Sequence, residues 1–268
     1  MRSNGRETME IREPAVAGLF YPRGQAELRA EVTKLLADAP APDGTPPKAL
    51  IAPHAGYIYS GAVAAIAFAT LQNRSETIER VVLLGPAHYV PLRGIAAPAS
   101  EAMATPLGIV PVDRALRAAA LDFPFVTSDD APHVPEHSLE VELPFLQLVA
   151  ASFSVLPLVI GEARPHEVAQ VLARLWGGPE TLVVVSSDLS HFHEYAEARR
   201  IDAATAAAIE RGDWASLRPR HACGYLAISG LLIEAGRRGL VAERLSLCNS
   251  GDTAGSHERV VGYGAWKL

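Results

Sequence analysis

The stretch that decides the fold is residues 181–193, which read TLVVVSSDLSHFH. Its first half is a continuous aliphatic run, and the turn that follows carries Asp188, His191 and His193. Such runs are typical of strands buried on both faces of a parallel sheet, and open sheets of this kind bind ligands beyond the carboxyl ends of their strands. The stretch therefore predicts a core strand that brings a carboxylate and imidazoles to one edge of a sheet.

Two earlier stretches repeat this arrangement of a hydrophobic run followed by a histidine. Residues 48–54 read KALIAPH and residues 80–88 read RVVLLGPAH, so His54 and His88 each follow an apolar run and a proline. Proline fixes the backbone φ angle and stiffens a turn, which suits a side chain whose position must be held closely. A single loop histidine is most often only solvated or bonded to backbone, but three such strand ends together predict a shared site.

The composition is that of a globular protein with a sizeable core. The 268 residues are 49% hydrophobic and carry a net charge of −6 without a block of like charges, which argues against nucleic acid or an anionic membrane as the partner. No apolar run is long enough to span a bilayer, and residues 1–14 lack the apolar segment of a secretory signal, so we expect a cytoplasmic protein. The two cysteines, Cys223 and Cys248, are expected to be reduced thiols.

Strands and helices alternate along the chain. Hydrophobic periodicity predicts helices at residues 25–38, 60–71, 114–121, 166–176, 194–211 and 224–238, and one at 138–151 that Pro144 bends or interrupts. Further strands are expected at residues 94–97, 108–112, 155–160, 242–247 and 259–267. This alternation predicts an α/β fold: a single domain with a mostly parallel central sheet flanked by helices.

Two histidines and one anionic ligand would form a metal site with open positions. Imidazole binds zinc, copper and iron through one neutral ring nitrogen, so His54 and His88 are predicted metal ligands. The candidates for the third ligand are Asp188, Glu140, Glu142 and Cys223. Each has an ordinary alternative: exposed helix acids for the glutamates, a turn or cap for Asp188, and a buried inert thiol for Cys223. The place of Cys223 just before a predicted helix favours thiolate character.

One motif points to a chemistry that the sequence itself argues against. Residues 133–137 read HVPEH and match the H-x-x-E-H spacing of inverted zinc proteases. That chemistry needs both histidines on one face of a helix, whereas Pro135 disfavours a helical conformation for Val134 before it. We therefore reject the protease interpretation, while His137 remains able to face the site from a loop.

Several segments together resemble the Memo family, whose prokaryotic members are also called AmmeMemoRadiSam system protein B. The segments are PAVAGLFYP at 14–22, APHAGY at 52–57, LGPAH at 84–88, TPLG at 105–108, EHSLE at 136–140, SSDLSH at 186–191, CGY at 223–225 and VVGYGAW at 260–266. They span nearly the whole chain in order. The resemblance implies a polar extension over residues 1–10 and a Memo-like domain over residues 11–268. Family members commonly begin just before residues 11–14, so Met9 is an alternative start.

The Memo family is similar in fold to class III extradiol dioxygenases, which hold non-haem Fe(II) with two histidines and a glutamate. By this resemblance His54 and His88 fall on the histidine ligands, Cys223 falls where those enzymes have the carboxylate, and His191 falls on the acid/base histidine. A thiolate is softer than a carboxylate and shifts preference toward copper or zinc, while iron remains available. The resemblance therefore implies a cofactor of Fe(II) or copper, with zinc as a further option. It also implies partners of the radical SAM and AMMECR types.

The leading hypothesis is a metal-dependent, dioxygenase-like oxidoreductase that acts on a small molecule. His191 is the expected general acid/base, and Asp188 orients it or contacts substrate. The other residues expected around substrate and ligands are Tyr57, as a hydrogen-bond donor to substrate, with His137, Glu140 and His193. Two alternatives stay open. One is a non-catalytic module that binds a peptide or small ligand in the same histidine-lined pocket, and the other is a zinc hydrolase in which His191 activates metal-bound water.

Overall fold

The computed structural model describes residues 9–41, 44–72 and 76–268. Residues 1–8 of the predicted N-terminal extension lie outside this range. The domain boundary at residue 11 and the alternative start at Met9 therefore stay predictions. Among the described residues, no helix combines the length and the apolar character needed to cross a bilayer.

Twelve strands and seven α-helices make up the described fold. The strands are β1 (Ile11–Arg12), β2 (Ala49–Ala52), β3 (Arg80–Pro86), β4 (Ile95–Ala97), β5 (Ala102–Thr105), β6 (Gly108–Pro111), β7 (Val126–Ser128), β8 (Ser154–Ile160), β9 (Thr181–Ser186), β10 (His191–His193), β11 (Glu243–Asn249) and β12 (Val260–Lys267). The helices are α1 (Gln25–Asp38), α2 (Tyr57–Ala69), α3 (Arg114–Leu121), α4 (Leu143–Val149), α5 (Pro165–Leu175), α6 (Tyr195–Glu210) and α7 (Tyr225–Arg237).

The centre of the main sheet is parallel and its flanks are antiparallel. Strands β2, β9, β3 and β8 lie side by side in the same direction, with Ala52 opposite Ser186 and Leu84 opposite Val185. On one flank β12 pairs antiparallel with β2, β10 and β11, and on the other β4 pairs antiparallel with β8. The predicted single α/β domain with a mostly parallel sheet is confirmed, and the three histidine-bearing segments leave the sheet at one edge.

Helices cover both faces of this sheet because neighbouring residues of each strand point to opposite sides. Val81 and Leu83 of β3 pack into the core layer that contains Phe68 of α2, whereas Val82 and Leu84 pack into the opposite layer. The first layer is completed by α1 and α4, and the second by α3, α5, α6 and α7. A buried strand with two apolar faces therefore needs an uninterrupted hydrophobic run, as residues 80–84 and 181–185 provide.

The helix expected at residues 138–151 is shorter than predicted. A 3-10 turn occupies Glu140–Glu142, and α4 begins only at Leu143. Pro144 therefore sits in the first turn of α4, where a missing N–H costs nothing because those amides have no partner within the helix. The proline starts this helix and does not bend it.

Candidate metal centre

His54 follows β2 and is buried, with its backbone and ring both fixed. Its backbone N–H donates to Oδ1 of Asp188 at 2.9 Å, and its Nδ1 lies 2.7 Å from the hydroxyl of Ser186 at the end of β9. Burial lowers the pKa of His54, and the nearby histidines, His88 first, lower it further. The ring is therefore neutral, and its partners decide which nitrogen carries the proton.

The Ser186 hydroxyl sets that proton on Nδ1. Its Oγ lies 2.6 Å from the carbonyl oxygen of Ser138 and 2.8 Å from Oε1 of Glu142. A carbonyl only accepts, so the single hydroxyl hydrogen goes to Ser138. Oε1 of Glu142, whose pKa burial raises well above its usual range, is the other acceptor within reach of that hydrogen, so neither arrangement directs it at His54. The Nδ1–H of His54 fills the remaining acceptor site, which leaves the Nε2 lone pair free for a metal.

His88 follows β3, and Glu136 orients it. The carboxylate of Glu136 accepts the backbone N–H of His88 at 2.7 Å, lies 2.8 Å from its Nδ1, and accepts the N–H of Ser138 at 2.9 Å. Burial raises the pKa of Glu136, but the hydrogen bonds and charge of His88 outweigh it and bring the pKa down to about 2. An ionised partner on Nδ1 leaves Nε2 of His88 as the metal-binding nitrogen, in the carboxylate–histidine–metal arrangement common in metalloproteins.

Cys223 comes from a third element, immediately before α7. Its Sγ lies 3.4 Å from Nε2 of His54 and 3.6 Å from the carbonyl oxygen of Asp188. The surrounding protein groups do not favour the thiolate form that the sequence predicts for Cys223. Burial raises the pKa of the Cys223 thiol, and the nearby charge of Asp188 raises it further. A metal cation supplies the positive charge that a thiolate needs in such a place.

The donor atoms of His54, His88 and Cys223 all lie within 4.8 Å of one another. Two imidazoles with free Nε2 atoms and one thiol suit a transition metal or zinc, so the donor set fits the predicted cofactor. A second group, His88 with Glu136 and His137, is equally close. Because Glu136 already accepts three N–H groups, it serves to hold His88.

His191 lies partly exposed at the first position of β10. Its Nδ1 is 2.8 Å from the carbonyl oxygen of Leu189, which accepts only, so Nδ1 carries the proton and Nε2 is free. Burial lowers the pKa of His191, partly offset by the Leu189 carbonyl. The ring is therefore a neutral base at pH 7.

Asp188 is buried beside the centre, but it orients His54 and not His191. Burial raises the pKa of Asp188, and although the backbone N–H groups of His54 and Ala55 lower it, the result is about 7. The helix-cap alternative for this residue does not describe its contacts, since its carboxyl accepts the N–H of His54 from a different strand end.

His137 reaches the centre from the loop before α4. Its ring stacks on that of His88 with centroids 4.7 Å apart and meets the ring of His54 edge-on at 5.3 Å. Its Nδ1 is buried without a hydrogen-bond partner among the described residues. The rest of the H-x-x-E-H motif is not helical, and His133 instead points to the carbonyl of Ala96, so the protease interpretation is correctly rejected.

Three expected site residues lie elsewhere than predicted. The Tyr57 hydroxyl is buried and donates to the carbonyl of Val141 at 2.8 Å, so its hydrogen is used inside the core and not on a substrate. Glu140 pairs with buried Arg12 and accepts N–H groups of the N-terminal segment, so it anchors that segment and does not hold a ligand. His193 lies farther along β10, with Nδ1 3.5 Å from a carboxylate oxygen of Glu197 on α6.

Sequence reasoning missed the roles of Glu136 and Ser186. Glu136 stood in the rejected motif, and its proximity in sequence to His137 was the only available signal. Ser186 ends the buried run of β9, where a hydroxyl that follows four apolar residues marks the edge of the sheet. Both act through partners more than 40 residues away, which no local pattern displays.

Two cavities are lined by residues of the centre or by residues that contact it. One of about 940 Å³ is lined by His88, Cys223, Tyr89 and Tyr225. The other, of about 460 Å³, is lined by His137, Asp188, Phe20 and Tyr59, with Arg259. Both have room for a small molecule. The first is lined by two of the three donor residues, and the second by His137 and Asp188, which contact His54.

Comparisons with known proteins agree with this picture of the fold. The family profile described as Memo-like protein matches residues 12–267. A MEMO1 family protein of Aquifex aeolicus is 37% identical over 270 residues, covering 95% of this chain and 98% of the relative. Another, from Methanosarcina acetivorans, is 37% identical, with coverage of 96% and 98%. A crystal structure of uncharacterized protein JW3007 from Escherichia coli K12 has a TM-score of 0.54 at 16% identity, covering 82% of this chain and 98% of that one, which shows a shared fold alone.

Proposed function

This chain belongs to the Memo-like protein family, and on that premise we propose that it is a metal-dependent oxidoreductase acting on a small molecule. His54, His88 and Cys223 would hold one iron or copper ion. The observation that supports this most is the convergence of three donor atoms from three separate elements, with both imidazole tautomers set by buried partners. When bound, such an ion supplies one-electron chemistry and Lewis-acid polarisation of a coordinated group.

In this proposal His191 moves the proton of the reaction. Its Nε2 has a free lone pair, because its Nδ1–H donates to the Leu189 carbonyl. A neutral imidazole can take a proton from a substrate hydroxyl or thiol and return it later. Asp188, with a pKa of about 7, is a second group beside the centre that can hold a proton near neutral pH.

The experiment is anaerobic purification followed by elemental analysis. Wild-type protein is expected to carry close to one iron or copper ion per chain, and His54→Ala, His88→Ala and Cys223→Ala to lose most of it. Cys248→Ala and His257→Ala are matched controls, because they remove the same side-chain types away from the three donors. Stoichiometric metal in all three site variants would overturn the assignment.

The identity of the metal separates the alternatives. Redox-active iron or copper supports the oxidoreductase, and oxygen consumption with a panel of phenols and thiols then tests the reaction. Bound zinc with no oxygen consumption favours the hydrolase, and a protein that takes up none of these metals favours the non-catalytic module. Partners of the radical SAM and AMMECR types remain part of the proposal from family resemblance.

A further inference from the structure

Phe192, next to His191, has an unusual backbone and an unusual surface position. Its φ is +62°, and among the described residues no other non-glycine residue has a positive φ. The pairing of β10 with β12 shifts register at this point, between His191 and His193. The Phe192 side chain is 60% exposed, so core packing does not explain why the chain keeps a phenylalanine in this conformation.

The exposed ring of Phe192 supports the guanidinium of Arg259. The guanidinium carbon lies 5.0 Å from the ring centroid, and the same ring lies 5.6 Å from that of His191. Within the described parts of the chain, no carboxylate lies in salt-bridge range of Arg259, unlike Arg164 or Arg238, which pair with Glu167 and Glu234. A guanidinium placed over an aromatic face keeps N–H groups available to bind an oxyanion.

Arg259 lines the smaller of the two cavities at the centre. The same cavity is lined by Asp188 and by His137, whose Nδ1 lies 3.5 Å from Oε1 of Glu136. Its walls also include the rings of Phe20 and Tyr59, which offer apolar surface. A ligand in this cavity can therefore contact a guanidinium, two aromatic rings and the side chains of His137 and Asp188.

We propose that the smaller cavity binds a small organic acid, with its carboxylate on Arg259 and its apolar body against Phe20 and Tyr59. This inference rests on the proposed function, because it treats that cavity as the substrate side of the metal centre. Arg259, whose guanidinium lies over the ring of Phe192, then selects substrates by charge, and the uncharged part of the acid contacts the other lining residues, which include His137 and Asp188.

Calorimetric titration with benzoate and with uncharged benzamide tests the proposal on full-length, metal-loaded protein. Benzoate is expected to bind more tightly than benzamide. Arg259→Gln should weaken benzoate binding by about tenfold or more, because a charge-assisted bidentate contact is lost, and should leave benzamide binding unchanged. Phe192→Ala should weaken benzoate binding less, since the guanidinium remains but is no longer held. Arg93→Gln is the matched control, because Arg93 is exposed and lines only the larger cavity.

The proposal is overturned if Arg259→Gln binds benzoate as the wild type does, if Arg93→Gln weakens it equally, or if the wild type does not distinguish the two probes. Metal content of Arg259→Gln is measured alongside and should equal that of the wild type, which rules out a general loss of folding. Repeating the titration on metal-free protein separates this inference from the function proposed above. In metal-free protein, Arg259→Gln should still weaken benzoate binding, even if elemental analysis rejects the metal centre.

Discussion

Glu136 decides which nitrogen of His88 faces the donor atoms of His54 and Cys223. Its carboxylate is buried and ionised, with a pKa of about 2, so it draws the imidazole proton to Nδ1 and makes the other nitrogen a better ligand. A neutral amide in its place would accept the same hydrogen bond without the charge. In the proposed centre Glu136 would therefore act on the metal through His88.

We expect Glu136→Gln to lower metal affinity by about 10- to 100-fold, because the loss of a charged partner reduces the basicity of the His88 ring. Competition with a chelator of known affinity measures this change. Glu162→Gln is the control, since Glu162 lines the larger cavity without contacting a ligand histidine. Equal affinities for the two variants would contradict the role given to Glu136.

Glu142 makes folding stability depend on pH. Its folded pKa is raised above the unfolded value by burial, so above about pH 4.5 the unfolded state releases a proton that the folded state keeps. The contribution of Glu142 to stability therefore falls as pH rises, until the pH reaches the folded pKa. For one titrating group, the folding equilibrium constant changes by at most a factor of ten per pH unit. Glu142→Gln removes this dependence.

Urea unfolding between about pH 5 and pH 8 checks that sign. The difference in stability between Glu142→Gln and the wild type is expected to shift in favour of the variant as pH increases. A difference that stays constant over this range would show that the buried carboxyl does not titrate as proposed. The comparison of two chains cancels the other titrating groups, which they share.

At the scale of elements, β12 positions the His191 segment through Gly262. The carbonyl of Gly262 accepts the N–H of Leu189 and its N–H donates to Ser190, each at 2.8 Å. A Cβ on Gly262 would lie 2.1 Å from a carboxylate oxygen of Asp202, which holds the N–H of Ser190 through its other oxygen. Strand β12 and helix α6 therefore both hold Leu189 and Ser190, the residues just before His191, through hydrogen bonds.

We expect Gly262→Ala to destabilise the protein by about 1–3 kcal/mol, because buried Asp202 must move and release Ser190. Gly236→Ala is the matched control: its Cβ on α7 would meet nothing within 4 Å, and the change should be neutral or stabilise by up to about 1 kcal/mol. Thermal unfolding of both variants measures the difference. Equal melting temperatures would contradict this account of β12.

Elements with many apolar residues could be predicted from sequence, and short ones could not. Helix α1 spans residues 25–38 as predicted, because Leu28, Val32 and Leu36 fall on one buried face. Strands β5, β7 and β10 have three or four residues each and were missed, since so short a stretch shows no clear hydrophobic pattern; β7 and β10 also pair with strands far away in sequence. Helix α2 starts three residues before its predicted start at Ser60, since the Tyr57 N–H bonds to the Phe20 carbonyl across the fold.

In the candidate site, too, some features could be predicted from the sequence and others could not. Sequence placed His54, His88 and Cys223 together because strand ends of a parallel sheet meet at one edge, and in the structure they lie side by side. It misplaced the environments of Tyr57 and Glu140, because a side chain's hydrogen-bond partner depends on tertiary packing. The motifs that contain Tyr57 and Glu140 do not show that the hydroxyl of one and the carboxylate of the other bind partners inside the core.

For the whole molecule, the buried pair of Arg12 and Glu140 ties the N-terminal segment to the main sheet. Arg12→Ala is expected to cost about 3–5 kcal/mol, because it leaves the Glu140 carboxylate buried without its cation. Arg114→Ala is the control, since its pair with Glu101 is mostly exposed and should contribute no more than about 1 kcal/mol. Chemical denaturation compares them, and similar midpoints would contradict the anchoring role.

The order of the elements along the chain also bears on protein synthesis. His54 and His88 leave the ribosome early, but Cys223 follows more than 130 residues later and β12, which pairs with three other strands, comes later still. A nascent chain that has exposed only the two imidazoles presents an incomplete and unshielded chelator. For the proposed centre, the full set of three donors exists only after Cys223 has been synthesised, so we expect binding of the correct ion to follow translation of this region.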